Sequence, residues 1–250
     1  MEDRLAFYLL KKINKALRHY SMIEDGDRIV VAVSGGKDSL SLLKLLQLRK
    51  RTDSQKYDLV AVHVQSDYRC AGCAHRETLE RIFEEYGIQF AFEQIRVTVT
   101  EDGTRRAPTC FWCSWNRRKA LFLTAQRLGC NKVAFGHHAD DVAQTTLLNL
   151  FYHGRLETME PKVVFFDGKI TVIRPLVYVP EREVIRFAKA NNFPSQLCRC
   201  PNSFTSKRTR MKEVLRTVEK ECPKVKINLS KAIENCTRGV SNPEVGQREL

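Results

Sequence analysis

Short apolar runs alternate with amphipathic stretches along this chain, and the alternation predicts an α/β fold. Residues 29–33 and 59–64 are β-branched and apolar, as is typical of buried strands, and runs at 89–95 and 132–135 predict two more. Apolar residues at helical spacing predict helices at 3–20, 40–48, 77–86, 110–127, from the 136–141 segment to about 152, at 180–192 and at 207–221. Strands that alternate with helices form a doubly wound parallel sheet.

Less regular segments complete this pattern. Residues 169–172 and 174–178 are predicted as strand pieces, and 151–162 as a basic, glycine-containing loop. Residues 225–236 predict a last, shorter helix. We therefore expect helical additions at both ends of the α/β core.

The loop after the first predicted strand has the residues of a phosphate-binding site. It reads Ser34-Gly35-Gly36-Lys37-Asp38-Ser39. Two glycines allow a tight turn and a close approach of the backbone to a ligand, and the amides at the start of the next helix attract an anion. Lysine adds a positive charge, the serines add hydroxyl donors, and the aspartate is placed to reach Mg²⁺. The spacing is shorter than that of the Walker loop. An ordinary strand-to-helix turn is the alternative, which the complete hexapeptide disfavours.

Residues at the ends of two other predicted strands are expected at the same edge of the sheet. In a doubly wound sheet the carboxyl ends of the strands hold the nucleotide. His63 and Val64 end the second strand and are expected to line that site, His63 without a catalytic role. Gly136 follows the fourth strand, and Asp140 and Asp141 open the next helix. Carboxylates there can hold Mg²⁺ or cap the helix; we assign the metal to Asp141 and keep both alternatives for Asp140.

Three pairs of closely spaced cysteines are candidates for metal or redox chemistry. They are Cys70 and Cys73, Cys110 and Cys113, and Cys198 and Cys200. The second pair shares one turn at the start of a predicted helix, where thiolates are stabilised; metal binding is favoured there over two buried, packed thiols. Metal, redox and incidental roles stay open for the first pair.

Charge and cysteine usage narrow the class of protein. Lysine and arginine number 42 against 29 acidic residues, a net charge of +13. That excess suits a polyanionic partner such as RNA, although a soluble basic protein without such a partner can carry the same charge. No apolar stretch reaches about eighteen residues, so no membrane span is expected. Nine cysteines without a secretory signal favour metal chemistry in the cytoplasm over disulfides.

The hexapeptide, after an apolar strand, resembles the signature of the PP-loop ATP pyrophosphatases. Enzymes of that superfamily split ATP between the α- and β-phosphates and adenylate a substrate oxygen. The motifs that follow resemble those of the tRNA thiolation enzymes. They are the Cys110–Cys113 pair, Arg117-Arg118, GHHADDVAQTTLLNLFYHGRLETMEPK over 136–162, Arg174-Pro175-Leu176 and a cysteine after Phe193-Pro194. The resemblance covers residues 27–208 and is most specific at the hexapeptide and at 136–162.

Among these enzymes the chain resembles most the members that make 2-thiocytidine at position 32 of tRNA, and it is similar also to those that make 2-thiouridine. The long flanking zinc modules usual in the uridine enzymes are not found in the sequence, which favours cytidine. The resemblance implies an N-terminal helix over 1–25, an ATP-binding and catalytic domain over 26–192, and a C-terminal cysteine loop with helices over 193–250.

By resemblance, Cys110, Cys113 and one late cysteine hold a [4Fe–4S] cluster with one open iron. Cys200 is the expected third ligand, because Cys-Pro resembles the uridine-thiolating relatives, and Cys198 stays the alternative. The sequence departs here from the cytidine-thiolating pattern, since the two cysteines are one residue apart and Cys-Pro-Asn-Ser replaces Cys-Gly-Ser-Gln. The Cys70 pair is a second departure, and the resemblance places no ligand there.

The implied reaction is ATP- and Mg²⁺-dependent sulfuration of a tRNA pyrimidine at C2. Lys37 and the loop amides would bind phosphate, and Asp38 and Asp141 would hold Mg²⁺. The C2 oxygen would attack the α-phosphorus, and sulfide from the open iron would then displace AMP. The expected sulfur donor is a cysteine desulfurase or inorganic sulfide, and a homodimer is left open.

Two rival functions remain at this point. One is another PP-loop ligase that modifies tRNA, with zinc or no metal at the cysteines. The other is a non-catalytic, zinc-stabilised RNA-binding protein. Iron in anaerobically purified protein and ATP turnover in the presence of tRNA would separate all three functions.

Overall fold

The computed structural model describes residues 2–68, 75–98, 107–194, 207–229 and 231–232. Its helices and strands, in chain order, are α1 Glu2–His19, β1 Asp27–Ala32, α2 Lys37–Thr52, β2 Tyr57–Ser66, α3 His75–Glu85, β3 Gln89–Ile95, α4 Cys110–Arg127, β4 Lys132–Ala134, α5 Ala139–His153, β5 Lys162–Phe165, β6 Ile170–Ile173, α6 Glu181–Ala190 and α7 Lys207–Glu221. A short helical segment follows at 225–229. The cysteines at 70, 73, 198 and 200 lie outside the described residues.

The strands form one sheet in the order β3-β2-β1-β4-β6-β5. All neighbours pair in parallel except β5, which pairs antiparallel with β6. The order runs from β1 outward in both directions, so the connections reverse between β1 and β4. A doubly wound sheet binds its ligand at such a reversal, outside the carboxyl ends of the strands. The predicted fold class is confirmed.

The central strands are apolar because helices cover both faces of the sheet. On one face Val30, Val60 and Val62 pack against Leu121 and Ala125 of α4. On the other face α2 packs on β1 and β2, and α1 and α6 pack on α2 in turn. The last residues of α4 lead into the start of β4. The 18 residues of α4 extend about 27 Å away from that point. Its first turn therefore lies toward the carboxyl edge of the sheet.

Two compact units divide the chain. The first comprises Met1–His138 and Pro161–Pro201, and the second Ala139–Glu160 and Asn202–Leu250. The sheet belongs to the first unit. In the second, Ala143 and Leu147 of α5 are buried against Met211 and Leu215 of α7. The division into segments 1–25, 26–192 and 193–250 stays a prediction.

The region before α6 differs from the sequence prediction. β5 was missed, and residues 174–178, predicted as a strand piece, form turns. The amide of Val177 donates to the carbonyl of Arg174 at 3.2 Å, and that of Val179 to Leu176 at 2.8 Å. Pro175 has no amide to give a sheet and fixes its own φ, which favours these turns over a strand.

None of the helices in the described ranges combines the length and apolar character that crossing a bilayer requires.

Candidate functional site

The loop between β1 and α2 leaves backbone amides available at the start of a helix. Gly35 has φ +82°, a conformation that a side chain would strain. Gly36 is the N-cap of α2, with φ −84° and ψ 162°. Glycine offers the first amides of α2 no side-chain acceptor, so they can bind an anion, which the helix dipole also favours.

The two serines of the hexapeptide bond within the loop. The hydroxyl of Ser39 accepts from the amide of Ser34 at 3.1 Å and donates to the carbonyl of Gly36 at 3.0 Å. The two hydroxyl oxygens are 3.2 Å apart. Ser39 is buried and Ser34 is exposed. These bonds fix the shape of the turn, and direct bonding of either hydroxyl to a ligand stays a prediction.

Lys37 stands between two carboxylates. Its Nζ is 3.0 Å from Oδ2 of Asp38 and 3.2 Å from Oε1 of Glu181, whose side chain is only 16% exposed. Burial lowers the pKa of the Lys37 ammonium, but the charges and hydrogen bonds of the two carboxylates outweigh burial and leave the pKa above its ordinary value. Lys37 is therefore charged at neutral pH. Sequence reasoning missed this role of Glu181; its only signal was an acidic residue in the first turn of a helix that follows Pro180.

Asp38 has one oxygen engaged and one oxygen without a hydrogen bond. Oδ2 contacts Lys37, whereas Oδ1 is buried and accepts no hydrogen bond. Nε2 of His138 lies 3.7 Å from Oδ1, too far for a hydrogen bond. A buried carboxylate oxygen without a donor is costly, and Mg²⁺ prefers such oxygen ligands. This oxygen therefore fits the predicted metal.

Gly136 brings the carboxyl end of β4 against the loop of residues 34–39, which we call the phosphate loop. A Cβ atom built on Gly136 would lie 2.9 Å from the carbonyl carbon of Asp38 and 3.0 Å from the amide nitrogen of Ser39. Both are backbone atoms of the first turn of α2 and cannot move aside as a flexible side chain would. Only glycine permits this contact, which lies where the sheet reverses its order.

His63 fixes the backbone just before the phosphate loop. The side chain is 6% exposed, and its Nδ1 lies 2.7 Å from the carbonyl oxygen of Val33. The ring also packs edge-to-face on Phe92 at 5.8 Å. Val64 is buried in the apolar cluster of the sheet. Contact of either residue with ATP stays a prediction.

Cys110 and Cys113 begin α4 and are free thiols, the first exposed and the second half-buried. Thr109 caps this helix, because its hydroxyl oxygen accepts a hydrogen bond from the amide of Trp112 at 3.2 Å. No acidic residue lies in the first turn of this helix. Two such thiols one turn apart fit an iron–sulfur cluster.

The third predicted cysteine ligand lies outside the described residues. Within those residues no group of three or more histidine, cysteine, aspartate or glutamate side chains could hold a metal. The choice between Cys200 and Cys198 therefore stays a prediction, as does the dispensability of Cys70 and Cys73.

Asp140 and Asp141 begin α5, in the second unit. Asp140 is buried, and its Oδ1 lies 2.5 Å from Nζ of Lys226, which is also 2.7 Å from Glu219. Asp140 therefore has a structural partner. The assignment of Mg²⁺ to Asp141 stays a prediction.

Comparison with known proteins places this geometry in a family. The PP-loop domain family matches residues 8–195. The tRNA-cytidine(32) 2-sulfurtransferase of Geotalea uraniireducens is 41% identical over 94% of this chain and 94% of its own. The enzyme of the same name from Geobacter sulfurreducens is 41% identical over 93% of this chain and 91% of its own.

A solved structure has the same fold. The U34-tRNA thiolase NcsA from Methanococcus maripaludis, with its [4Fe-4S] cluster, has a TM-score of 0.77 and covers 94% of this chain and 80% of its own at 22% identity. The PP-loop domain implies that the chain binds ATP, and the assignment of ATP to the loop of residues 34–39 stays a prediction. The chain belongs to the PP-loop domain family and, through relatives that are 41% identical over almost its whole length, to the tRNA thiolation enzymes within that family.

Proposed function

We propose that this protein is an ATP- and Mg²⁺-dependent tRNA sulfurtransferase that makes 2-thiocytidine at position 32. The observation that carries the proposal is the identity of 41% with a tRNA-cytidine(32) 2-sulfurtransferase over 94% of both chains. The geometry agrees, since a charged lysine and uncapped amides converge where the sheet reverses its order. Cytoplasmic location and the sulfur donor, a cysteine desulfurase or inorganic sulfide, are further parts of this proposal, and a homodimer is left open.

ATP activates the base in the first step. The O2 oxygen of cytidine attacks the α-phosphorus, the bond to the bridging oxygen breaks, and pyrophosphate leaves with the electron pair. Lys37 and the amides at the start of α2 stabilise the charge that develops on the leaving phosphates. Asp38 and Asp141 would hold Mg²⁺, which supplies neutralisation of the phosphates when bound.

Sulfide replaces oxygen in the second step. A sulfide sulfur adds to C2, the C2–O bond breaks, and AMP leaves with the former base oxygen. In this displacement sulfur stays at the oxidation level of sulfide, so the step itself consumes no reductant or oxidant. Persulfide sulfur from a cysteine desulfurase would first be reduced to sulfide by two electrons from a thiol. Cys110, Cys113 and Cys200 would hold a [4Fe–4S] cluster, which when bound supplies the place where sulfide is kept until transfer.

Nucleoside mass spectrometry of tRNA from a strain without this gene tests the reaction. We expect 2-thiocytidine to disappear, and to return with the wild-type gene but not with a Lys37→Ala gene. Loss of 2-thiouridine alone would move the target to uridine. Unchanged levels of both thionucleosides would overturn the proposal.

The cysteine assignment is tested separately, by iron and sulfide content of anaerobically purified protein. Single Cys110→Ser, Cys113→Ser and Cys200→Ser variants should lose the cluster. The variants expected to keep it are Cys130→Ser, Cys198→Ser and the Cys70→Ser, Cys73→Ser double variant. Cys130 is the matched control, because it is a buried free thiol just beyond the other end of α4. One tightly bound zinc without iron in the wild type would contradict the assignment.

A further inference from the structure

A large basic groove runs between α1 and α6 in the first unit. It encloses about 920 Å³. Its cationic lining residues are Arg4, Lys11, Lys12, Arg182, Arg186 and Lys189. Among the described residues that line it, Glu183 is the one acidic side chain, and its carboxylate lies 2.5 Å from Nζ of Lys12. Most of the positive charge of the groove is thus left unbalanced by its own walls.

The sequences of the two helices explain this excess. From Arg4 to Ile23 the chain has five lysines and arginines and no acidic residue, and the two acidic residues of α1, Glu2 and Asp3, come before this stretch. The two acidic residues of α6 are both engaged in ion pairs, Glu181 with Lys37 and Glu183 with Lys12. A solvent-facing helix surface ordinarily mixes charges of both signs, which pair at spacings of three and four residues. A surface of one sign attracts a polyanion.

Exposed aromatic rings lie at the same surface. Nζ of Lys11 is 4.5 Å from the ring centre of Phe7 and 5.8 Å from that of Tyr8. The two rings are 55% and 48% exposed and contact each other edge-to-face. Cations beside exposed aromatic rings are typical of surfaces that bind nucleic acids, because phosphates meet the cations while sugars and bases meet the rings.

The groove leads to the phosphate loop. α6 begins at Glu181, which contacts Lys37, and Lys189 lies about 12 Å further along the same helix. α1 extends about 27 Å, enough to accompany several phosphates of a nucleic acid strand. A nucleic acid strand that follows the groove therefore arrives beside the phosphate loop.

We infer that the groove between α1 and α6 binds the sugar–phosphate backbone of the tRNA substrate and so delivers the target base to the phosphate loop. The inference rests on the proposed function for the identity of the nucleic acid. The sequence offers other basic residues as candidate RNA contacts, namely Arg117 and Arg118 of α4 and Lys207, Arg208 and Arg210 of α7, and the groove is separate from both sets.

Binding of tRNA at increasing salt concentration tests the inference. A groove variant combines Lys11→Ala, Arg186→Ala and Lys189→Ala, which have no ion pair among those described. A matched control variant combines Arg81→Ala, Arg96→Ala and Lys169→Ala, which are exposed and lie outside the groove. Both lose three positive charges. Each lost phosphate contact should make the slope of log Kd against log salt less steep by about 0.7 to 0.9, so the groove variant should change by roughly 2 to 3.

Three further measurements separate docking from folding and chemistry. The groove variant should keep the melting temperature and ATP affinity of the wild type, raise the KM for tRNA by roughly tenfold or more, and keep kcat at saturating tRNA. A Lys11→Arg, Lys189→Arg variant should bind tRNA at least as tightly as the wild type, because it keeps the positive charge that meets the phosphates.

The outcomes are distinguishable. Weaker binding by the groove variant, with the control unchanged, supports the inference. Wild-type binding by the groove variant overturns it and would leave an acidic protein as the partner of the groove. Equal loss in both variants also overturns it, since net charge alone would then govern binding. A wild-type protein that binds ATP but no tRNA would overturn the proposed function as well.

Discussion

At the scale of single residues, the site is organised around the charge of Lys37. Two carboxylates hold the ammonium in place. Because the pKa of Lys37 is raised by folding, its ion pairs stabilise the protein fully below its unfolded pKa of about 10.5 and are lost as the pH rises through the higher folded value. The charge that we propose to act on phosphates is therefore present throughout the neutral range.

Replacing Lys37 should abolish activation of the substrate without unfolding the protein. We predict that Lys37→Ala lowers the rate of tRNA-dependent pyrophosphate release by roughly 100-fold or more, the usual loss when a charge-stabilising donor is removed. Lys50→Ala is the matched control, because it removes the same charge from the same helix, at an exposed pair with Asp58. Normal pyrophosphate release by folded Lys37→Ala protein would contradict the assignment.

The contact of Gly136 with α2 gives a second prediction at this scale. Gly136→Ala should destabilise the protein by about 1–3 kcal/mol and weaken ATP binding, because the added methyl group meets backbone atoms at 2.9 and 3.0 Å. Gly36→Ala is the comparison, since its methyl group would meet only the hydroxyl of Ser34 at 3.5 Å. Urea unfolding measures the stability of the two variants. Equal stability of the two variants would contradict the prediction, because the first turn of α2 would then move away from the added methyl group at no cost.

Residue identity alone could predict part of this site. The hexapeptide gathers its charges and amides within six positions, so local chemistry was enough to find Lys37 and Asp38. Glu181 and His138 are far from the loop in sequence and reach it only because α6 packs on α2 and β4 lies beside β1. The sequence did place the segment after β4 at the same edge of the sheet, but the acidic first turn of α6 did not specify that Glu181 would contact Lys37.

At the scale of helices and strands, buried charge at the start of β1 holds two strands together. Oδ2 of Asp27 lies 2.6 Å from Nζ of Lys132 on β4, and both side chains are at most 5% exposed. Oδ1 of Asp27 also accepts from the side chain of Asn131 at 2.7 Å. Removing one member of a buried pair leaves the other charge buried without a partner.

The buried pair of Asp27 and Lys132 should contribute more to the free energy of unfolding than an exposed ion pair on the neighbouring strand. We predict that Asp27→Asn costs about 3–5 kcal/mol of the free energy of unfolding. Asp58→Asn, at the exposed pair with Lys50 on the start of β2, should cost under about 1 kcal/mol. The midpoints of urea unfolding measure the stability of the two variants. Similar midpoints would refute the predicted difference between the buried pair and the exposed pair.

The elements were predictable where the apolar period is strong. α4 and α7 begin and end where their spacing predicted, and Gly87 ends α3 in the left-handed conformation expected of a helix-terminating glycine. β5 was missed because it has four residues at the edge of the sheet, with Val164 exposed, so it lacks the continuous burial that marks the central strands. Its existence depends on pairing with β6, which local sequence does not encode.

At the scale of the whole molecule, the two compact units should lose structure separately. Leu215→Ala removes a side chain buried between α5 and α7 and should cost about 2–5 kcal/mol in the second unit. Hydrogen exchange should then become faster in α5 and α7 and stay unchanged in β1, β2 and β4. Val218→Ala, at an exposed position of α7, is the control. Equal loss of protection in β1 and α5 would mean that the units open together.

The second unit also has a consequence for the order in which the chain is made. About fifty residues separate α5 from α7, so a ribosome working at roughly 5–20 residues per second takes about 3–10 s between them. Ala143 and Leu147 therefore emerge from the ribosome that much earlier than Met211 and Leu215, which cover them. The nascent chain therefore carries an uncovered apolar stripe for longer than many small domains need to fold. Translation speed between His153 and Lys207 sets how long the unfinished protein is vulnerable to aggregation, independently of how stable the finished one is.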